Sequence, residues 1–296
     1  MKWHSILLII RPANVVTAIS DILAGIAIVG LFMPNIFSNS LILDILLLVL
    51  STSCLYAGGI VFNDIFDYPK DKINRPERVI PSNRLSLSEA KKLGLLLFII
   101  GIGTAFLVSV FSGIIAIAIC LCALSYDKYA KHHTVLGPIN MGLCRGLNLI
   151  LGMSLASDLE LNFYFIAIMP FIFVSAITLT AQKETKGKNK IAIVIAMVLD
   201  ALIVLGFWLM HKNFDFLINN ALIFIALWYG INTYAKVNAI VHNKPKLIMK
   251  AVKVAVLSLI LLNACYVAGF CSVYMAILVI GLLPISLFLA KKFPVT

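Results

Sequence analysis

The segment Leu93–Tyr126 reads LGLLLFIIGIGTAFLVSVFSGIIAIAICLCALSY and is uncharged from end to end. A crossing of the bilayer core takes about 17–25 helical residues. The run therefore reads as two crossings, near 93–111 and 113–126. The rest of the chain follows suit. Of its 296 residues, 61% are hydrophobic and 12% charged, against roughly 45–50% and about 25% in a soluble domain. Too few charges are left to cover a water-facing surface. The apolar runs are continuous, without the alternating ten-residue strands of an outer-membrane barrel. Lipid-exposed backbone must satisfy its own hydrogen bonds, which leaves helices. The expected fold is an all-α polytopic membrane protein.

Apolar stretches between polar breaks place spans near 13–33, 41–62, 93–111, 113–126, 135–156, 162–182, 191–210, 216–240, 250–270 and 272–290. That is ten, or nine if one terminal span is dropped. With the N-terminus in the cytoplasm, the segments 64–92, 127–134, 183–190, 241–249 and 291–296 share its side. Of the 24 Lys and Arg, only Lys212 then falls on the opposite side and only Arg145 deep within a span. This is the asymmetry of the positive-inside rule. The net charge of +11 thus records topology rather than a nucleic-acid partner, and no nucleic acid is expected. The six cysteines lack metal-ligand spacing and read as small buried hydrophobes. The apolar stretch Ser5–Ile10 is too short for a cleavable leader. No linker divides the chain, so residues 1–296 are expected to form one domain.

The most polar loop follows the second span: Asn63-Asp64-Ile65-Phe66-Asp67-Tyr68-Pro69-Lys70-Asp71-Lys72-Ile73-Asn74-Arg75-Pro76-Glu77-Arg78. If the helix continues, Asn63, Asp67 and Asp71 fall at i, i+4 and i+8 with Asp64 one step around, so all four share a face. Three carboxylates side by side repel and call for a cation. Oxygen-only ligands at a membrane boundary suit Mg²⁺, which keeps few protein ligands and favours phosphate oxygens. The nearby Lys and Arg then suggest a metal-bridged phosphate or diphosphate. A solvated charged loop that merely ends a helix is the alternative.

Polar residues inside spans are expensive and face the bundle interior. Asn140, Cys144 and Asn148 share a face of the fifth span beside Arg145. Arg145 and Asn148 therefore either contact substrate or pair internally, with Asp21 of the first span or Asp200 of the seventh as candidate partners for Arg145. Asn14, Thr17 and Asp21 form one face of the first span. His132 and His133 point in different directions on a helix, so they suit added positive charge or a general base better than a metal. Trp3, Trp208 and Trp228 read as interface anchors or packing residues.

The pattern N-D-x-x-D-x-x-x-D followed by N-R-P, complete at Asn63, Asp64, Asp67, Asp71, Asn74, Arg75 and Pro76, resembles the first aspartate-rich motif of the UbiA superfamily of intramembrane prenyltransferases. Arg11-Pro12 and Tyr126 with Lys128 and Lys131 also resemble family features. More narrowly, Arg11–Ala18 and the C-terminal Phe293–Thr296 resemble the UbiA-like proteins of bacterial ebo clusters. The resemblance implies nine or ten transmembrane helices in a UbiA-like bundle around a central cavity. It places the protein in a bacterial plasma membrane, with prenyl diphosphate held by Mg²⁺ at the cytoplasmic end. The implied metal ligands and catalytic residues are Asp64, Asp67, Asp71 and Glu184. The implied substrate contacts are Asn14, Asn63, Arg75, Tyr126, Lys128, Lys131, Arg145, Asn148 and Lys188. A second acidic motif is expected after the sixth span, but Gln182-Lys183-Glu184-Thr185-Lys186-Gly187-Lys188 offers Glu184 at its first position and Lys188 at its second. A Lys cannot ligate Mg²⁺, though it can meet a diphosphate oxygen. The implied reaction is Mg²⁺-dependent prenyl transfer to a small lipophilic acceptor. A terpene cyclase acting on a prenyl diphosphate, and a non-catalytic isoprenoid-binding or transport protein, are the alternatives.

Overall fold

A computed structural model describes residues 2–32, 38–182 and 189–293, and every regular element among them is helical. The chain runs α1 (Lys2–Ile10), α2 (Pro12–Ile28), α3 (Asn39–Asn74), α4 (Leu87–Val108), α5 (Val110–Lys128) and α6 (Leu136–Met153). It continues through α7 (Leu161–Tyr164), α8 (Ile168–Ala181), α9 (Lys190–Asn213), α10 (Ile218–His242), α11 (Pro245–Leu257), α12 (Leu259–Phe270), α13 (Val273–Ile280) and α14 (Leu282–Lys292).

Seven helical segments among the described residues are long and apolar enough to cross a membrane, and eight if the bent pair α1–α2 counts as one. This falls short of the nine or ten spans expected. The expected spans at 135–156 and 216–240 are helices, α6 and α10, but neither is among the seven. Both carry polar side chains on faces buried inside the bundle: Arg145 and Asn148 on α6, Asn232 and Lys236 on α10. The expected spans at 250–270 and 272–290 are each interrupted, at Ser258 and at Gly281.

The helix boundaries follow from local chemistry. Pro12 opens α2 and disfavours an α conformation in the residue before it. Arg11 takes a left-handed backbone at φ 49°, and α1 meets α2 at 55°. Ser109 caps α5 by accepting from the Ser112 amide at 3.0 Å, which splits the long apolar run into α4 and α5. Ser86 and Glu89 form a reciprocal capping box at the start of α4. The 36 residues of α3 run unbroken through Pro69. At about 1.5 Å per residue they exceed the ~30 Å hydrocarbon core, so the end bearing the aspartates projects beyond it.

The main core gathers in the C-terminal half around Phe173, Phe207, Phe216, Trp228 and Tyr266. Every residue from Leu259 to Gly269 is buried. A helix that is apolar all round belongs in the middle of a bundle. Against it, α2 and α6 cross backbone to backbone. A methyl group on Gly25 would lie 2.6 Å from the Leu149 carbonyl oxygen, and one on Gly152 2.6 Å from that of Ile22.

A polar pin fastens this crossing. Asp21, fully buried, receives Arg145 Nε at 2.6 Å, Asn148 Nδ2 at 2.7 Å and Asn263 Nδ2 at 2.7 Å. Thr52 donates to Asn148 Oδ1 at 2.6 Å, so one carboxylate ties together α2, α3, α6 and α12. Of the two partners expected for Arg145, Asp21 is the one it meets. Asp200 instead pairs with Lys236 of α10 at 2.5 Å, and Lys236 is 1% exposed. The span boundaries had placed Lys236 near the cytoplasmic end rather than in the interior.

Removing one partner of a buried ion pair leaves an uncompensated charge, at a cost of about 3–5 kcal/mol. Asp21→Asn should lower the thermal midpoint of the detergent-solubilised protein by roughly 5–15 °C, and adding Arg145→Met should recover part of the loss. An unchanged midpoint for Asp21→Asn would show that the pin contributes nothing to stability.

Candidate functional site

α3 runs on past the expected span end at 62 to Asn74, which puts the acidic residues on a helix, and each aspartate there meets a cation. Asp64 Oδ1 receives Arg11 at 2.8 Å and Arg78 at 3.4 Å. Asp71 Oδ2 receives Arg78 at 2.7 Å, and Asp67 Oδ1 receives Lys131 at 2.7 Å. Asn63 donates across the bundle to Asp127 Oδ1 of α5 at 2.7 Å. Each cation is held in place by the local fold. The kink before Pro12 turns Arg11 toward α3, and Lys131 sits in a short 3₁₀ turn after α5. Arg78 precedes Val79 and Ile80, which are buried with Ile9, Val61, Leu85 and Ala90 in a small apolar cluster.

Below this mouth lies a cavity of about 350 Å³ walled by α2, α3, α5, α6, α8, α11 and α12. Arg11, Asn14, Asn63, Tyr126 and Asp127 are among its polar lining, with Thr52, Arg145 and Asn148 contributed by the pin. The remaining wall is largely apolar, with Leu55, Ile119, Ala123, Met141, Val174, Ile177, Val256 and Leu259. The site is therefore amphipathic, a charged rim over an apolar pocket that a molecule with an anionic head and a hydrocarbon body matches. Arg145 pairs with Asp21, the internal alternative, and also lines the cavity.

The expected site residues divide accordingly. Asn14, Asn63, Tyr126, Arg145 and Asn148 line the cavity, and Asp64, Asp67, Asp71 and Lys131 form the ion pairs at the acidic end of α3. Arg75 and Lys128 do not join them. Arg75 is exposed at the end of α3, and Lys128 points outward over the Tyr129 ring at 4.9 Å. Glu184 and Lys188 lie outside the described residues. His132 and His133 are exposed, and His133 Nδ1 accepts from the Val135 and Leu136 amides.

Four residues of the site were missed. Arg11, which pairs with Asp64, was read only as part of a family feature. Arg78 stands where Arg75 was expected, and only the burial of its neighbours Val79 and Ile80 distinguishes the two. Asp127 directly follows Tyr126 and is the lone acid at the end of an apolar span, a signal that was present but unread. Tyr56 lies on the inward face of α3 and carries no motif.

Among the described residues no three His, Cys, Asp or Glu side chains converge closely enough to cage a metal. The donor chemistry nevertheless fits a hard cation that phosphate also holds. The acidic face offers carboxylate oxygens, with Asp64, Asp67 and Asp71 paired to Arg11, Arg78 and Lys131, whereas Asp127 meets only the Asn63 amide. Mg²⁺ is commonly bound in this way, by one or two carboxylates plus substrate phosphates.

The sequence profile of the UbiA prenyltransferase family matches residues 22–239. The chain belongs to the UbiA prenyltransferase family. A digeranylgeranylglyceryl phosphate synthase of Saccharolobus solfataricus is 30% identical over 186 residues, 62% of each chain. Across the first curated relatives matched, the chain spans between half and 62% of their length. A solved structure of a digeranylgeranylglyceryl phosphate synthase superposes with a TM-score of 0.65 at 25% identity, covering 91% of this chain and 98% of that one. A UbiA homologue from Archaeoglobus fulgidus bound to GPP and Mg²⁺ shares the fold, with a TM-score of 0.63 at 14% identity over 94% and 99% of the two chains. Membership of the UbiA family thus rests on sequence and fold together.

Arg78 bridges two carboxylates of the family motif, and Arg75 bridges none. Arg78→Gln should destabilise the detergent-solubilised protein by about 1–3 kcal/mol, and Arg75→Gln by less than about 0.5 kcal/mol, read as thermal midpoints. Equal shifts for the two would remove Arg78 from its bridging position.

Proposed function

We propose that this protein is a Mg²⁺-dependent prenyltransferase that moves a prenyl group from an isoprenoid diphosphate to a small lipophilic acceptor within the membrane. The observation that carries the reading is the junction of the acidic face Asp64, Asp67 and Asp71, threaded with Arg11, Arg78 and Lys131, to an apolar cavity. The names of the relatives support it, since they make an isoprenoid-bearing glyceryl phosphate and one homologue holds GPP with Mg²⁺. The inner face of a plasma membrane suits the positive-inside distribution, with the N-terminus and the acidic end of α3 cytoplasmic. The narrower kinship with proteins of bacterial ebo clusters rests on Arg11–Ala18 and Phe293–Thr296, whereas the relatives matched are archaeal.

Mg²⁺ at this site supplies charge neutralisation for the departing diphosphate. Asp64, Asp67 and Asp71 would hold it, with Glu184 as the remaining candidate ligand. Arg11, Arg78 and Lys131, beside these carboxylates, would meet phosphate oxygens, with Lys188 as a further candidate. Fixed positive groups aimed at developing negative charge lower the ionisation barrier without covalent chemistry. Leu55, Ile119, Val174 and Ile177 surround the isoprenoid tail and keep water from the allylic cation. Tyr56 and Tyr126 present aromatic rings to the same space, where a ring face stabilises positive charge.

Incubation of purified protein with radiolabelled C10, C15 and C20 diphosphates, with and without lipophilic acceptors, tests the reaction. Prenylated acceptor is expected, dependent on Mg²⁺ and abolished by Asp67→Ala. Acceptor-independent hydrocarbon would favour the cyclase reading, and absence of any product would favour a binding or transport role.

A further inference from the structure

We propose that Asp127 is the catalytic residue that takes the proton an acceptor surrenders as it is prenylated, an inference that rests on the prenyl-transfer reading above. Two kinds of carboxylate stand at the cavity mouth. Asp64, Asp67 and Asp71 are each ion-paired with Arg or Lys. Asp127 is 4% exposed, and its partner is the neutral amide of Asn63 on Oδ1. Among the described residues no cation lies within ion-pairing distance of Asp127 and no donor reaches its Oδ2. Lys131, one turn onward, is engaged by Asp67.

This difference separates the tasks the two kinds can perform. A carboxylate locked to a guanidinium is stabilised in its charged form and is a poor proton acceptor. A carboxylate that is buried, with one oxygen unbonded and no ion-pair partner, is better able to accept a proton. Among the described residues Asp127 is also the one carboxylate that lines the cavity, where the other polar groups are chiefly cations, amides and hydroxyls. Its position suits the step. Through Asn63 it is joined to the first residue of the acidic face, so it stands between the diphosphate end and the apolar pocket, beside where the first isoprene carbon of a donor must lie.

The step balances without any further reagent. The bond from the first isoprene carbon to the diphosphate oxygen breaks, and its electron pair leaves with the diphosphate. A lone pair or ring π-pair of the acceptor forms the new bond to that carbon. The acceptor's proton passes to Asp127 Oδ2 and leaves through the mouth before the next turnover. A hydroxyl acceptor and an aromatic ring carbon both give up one proton in this way, and product analysis for O- or C-prenylation distinguishes them.

The test compares wild-type protein, Asp127→Asn and Asp127→Glu in detergent, with geranylgeranyl diphosphate as donor and long-chain alcohols, 1-O-alkylglycerols and 4-alkylphenols as acceptors. Asp127→Asn should bind the donor within threefold of wild type. It should lose at least about 100-fold in transfer to the aliphatic hydroxyls and distinctly less with the more acidic phenols, which need a base less. Asp127→Glu, which keeps the carboxylate, should recover a substantial part of the activity. Equal losses for all acceptors, or loss of donor binding in step with transfer, would assign Asp127 to structure or to the donor site and overturn the proposal. Full activity of Asp127→Asn in an assay where wild type is active overturns it while leaving prenyl transfer intact. Inactivity of wild type with every acceptor overturns both.

Discussion

Asp21 is a fully buried carboxylate in the middle of the bundle, and the shape of the cavity depends on how its charge is met. Burying an unpaired ion costs several kcal/mol even after the protein relaxes. Arg145, Asn148 and Asn263 meet it from two other helices, and Thr52 extends the network to a third. This fixes the spacing of α2, α3, α6 and α12 around an opening that apolar packing alone would tend to close. Gly25 and Gly152 let α2 and α6 come close enough for the contacts to form. Because Arg145 and Asn148 also line the cavity, the pin that holds the walls apart supplies the pocket's polar lining.

The rim obeys the same rule with a looser solution. Its aspartates are paired with Arg11, Arg78 and Lys131, but these contacts are less deeply buried than the pin. On the proposed function, the rim pairs would give way to a metal and a phosphate, whereas the Asp21 and Asp200 pairs are nearly fully buried. The chain thus has deeply buried ion pairs and ion pairs near the water boundary. Asp127 belongs to neither group, since its partner is neutral.

Much of this was legible in the sequence because membrane and helix impose strong periodicities. The apolar run predicts a span end near residue 62, with a shared face for Asn63, Asp67 and Asp71 only if the helix continues; α3 does continue, through Asn74. The cost of an intramembrane charge pointed to Asp21 or Asp200 as a partner for Arg145, and Asp21 is the one it meets. Where the reading missed, no period was available to guide it. Arg75 and Arg78 are equivalent in an irregular loop until Val79 and Ile80 are seen to anchor one of them. Lys236 lies a turn inside a span end, where hydropathy cannot say whether its side chain reaches outward to water or inward to Asp200. The count of spans was the weakest inference, because α6 and α10 carry enough polar residues on buried faces to fall below the apolarity that marks a crossing.

The central claim is that the acidic end of α3 holds a prenyl diphosphate through a divalent cation. Calorimetric titration of geranylgeranyl diphosphate into the purified protein, with Mg²⁺ or with EDTA, tests it directly. Binding should require Mg²⁺ and weaken at least about tenfold, or ~1.4 kcal/mol, in Asp67→Asn. Equal affinity in EDTA, unaltered by Asp67→Asn, would contradict the account.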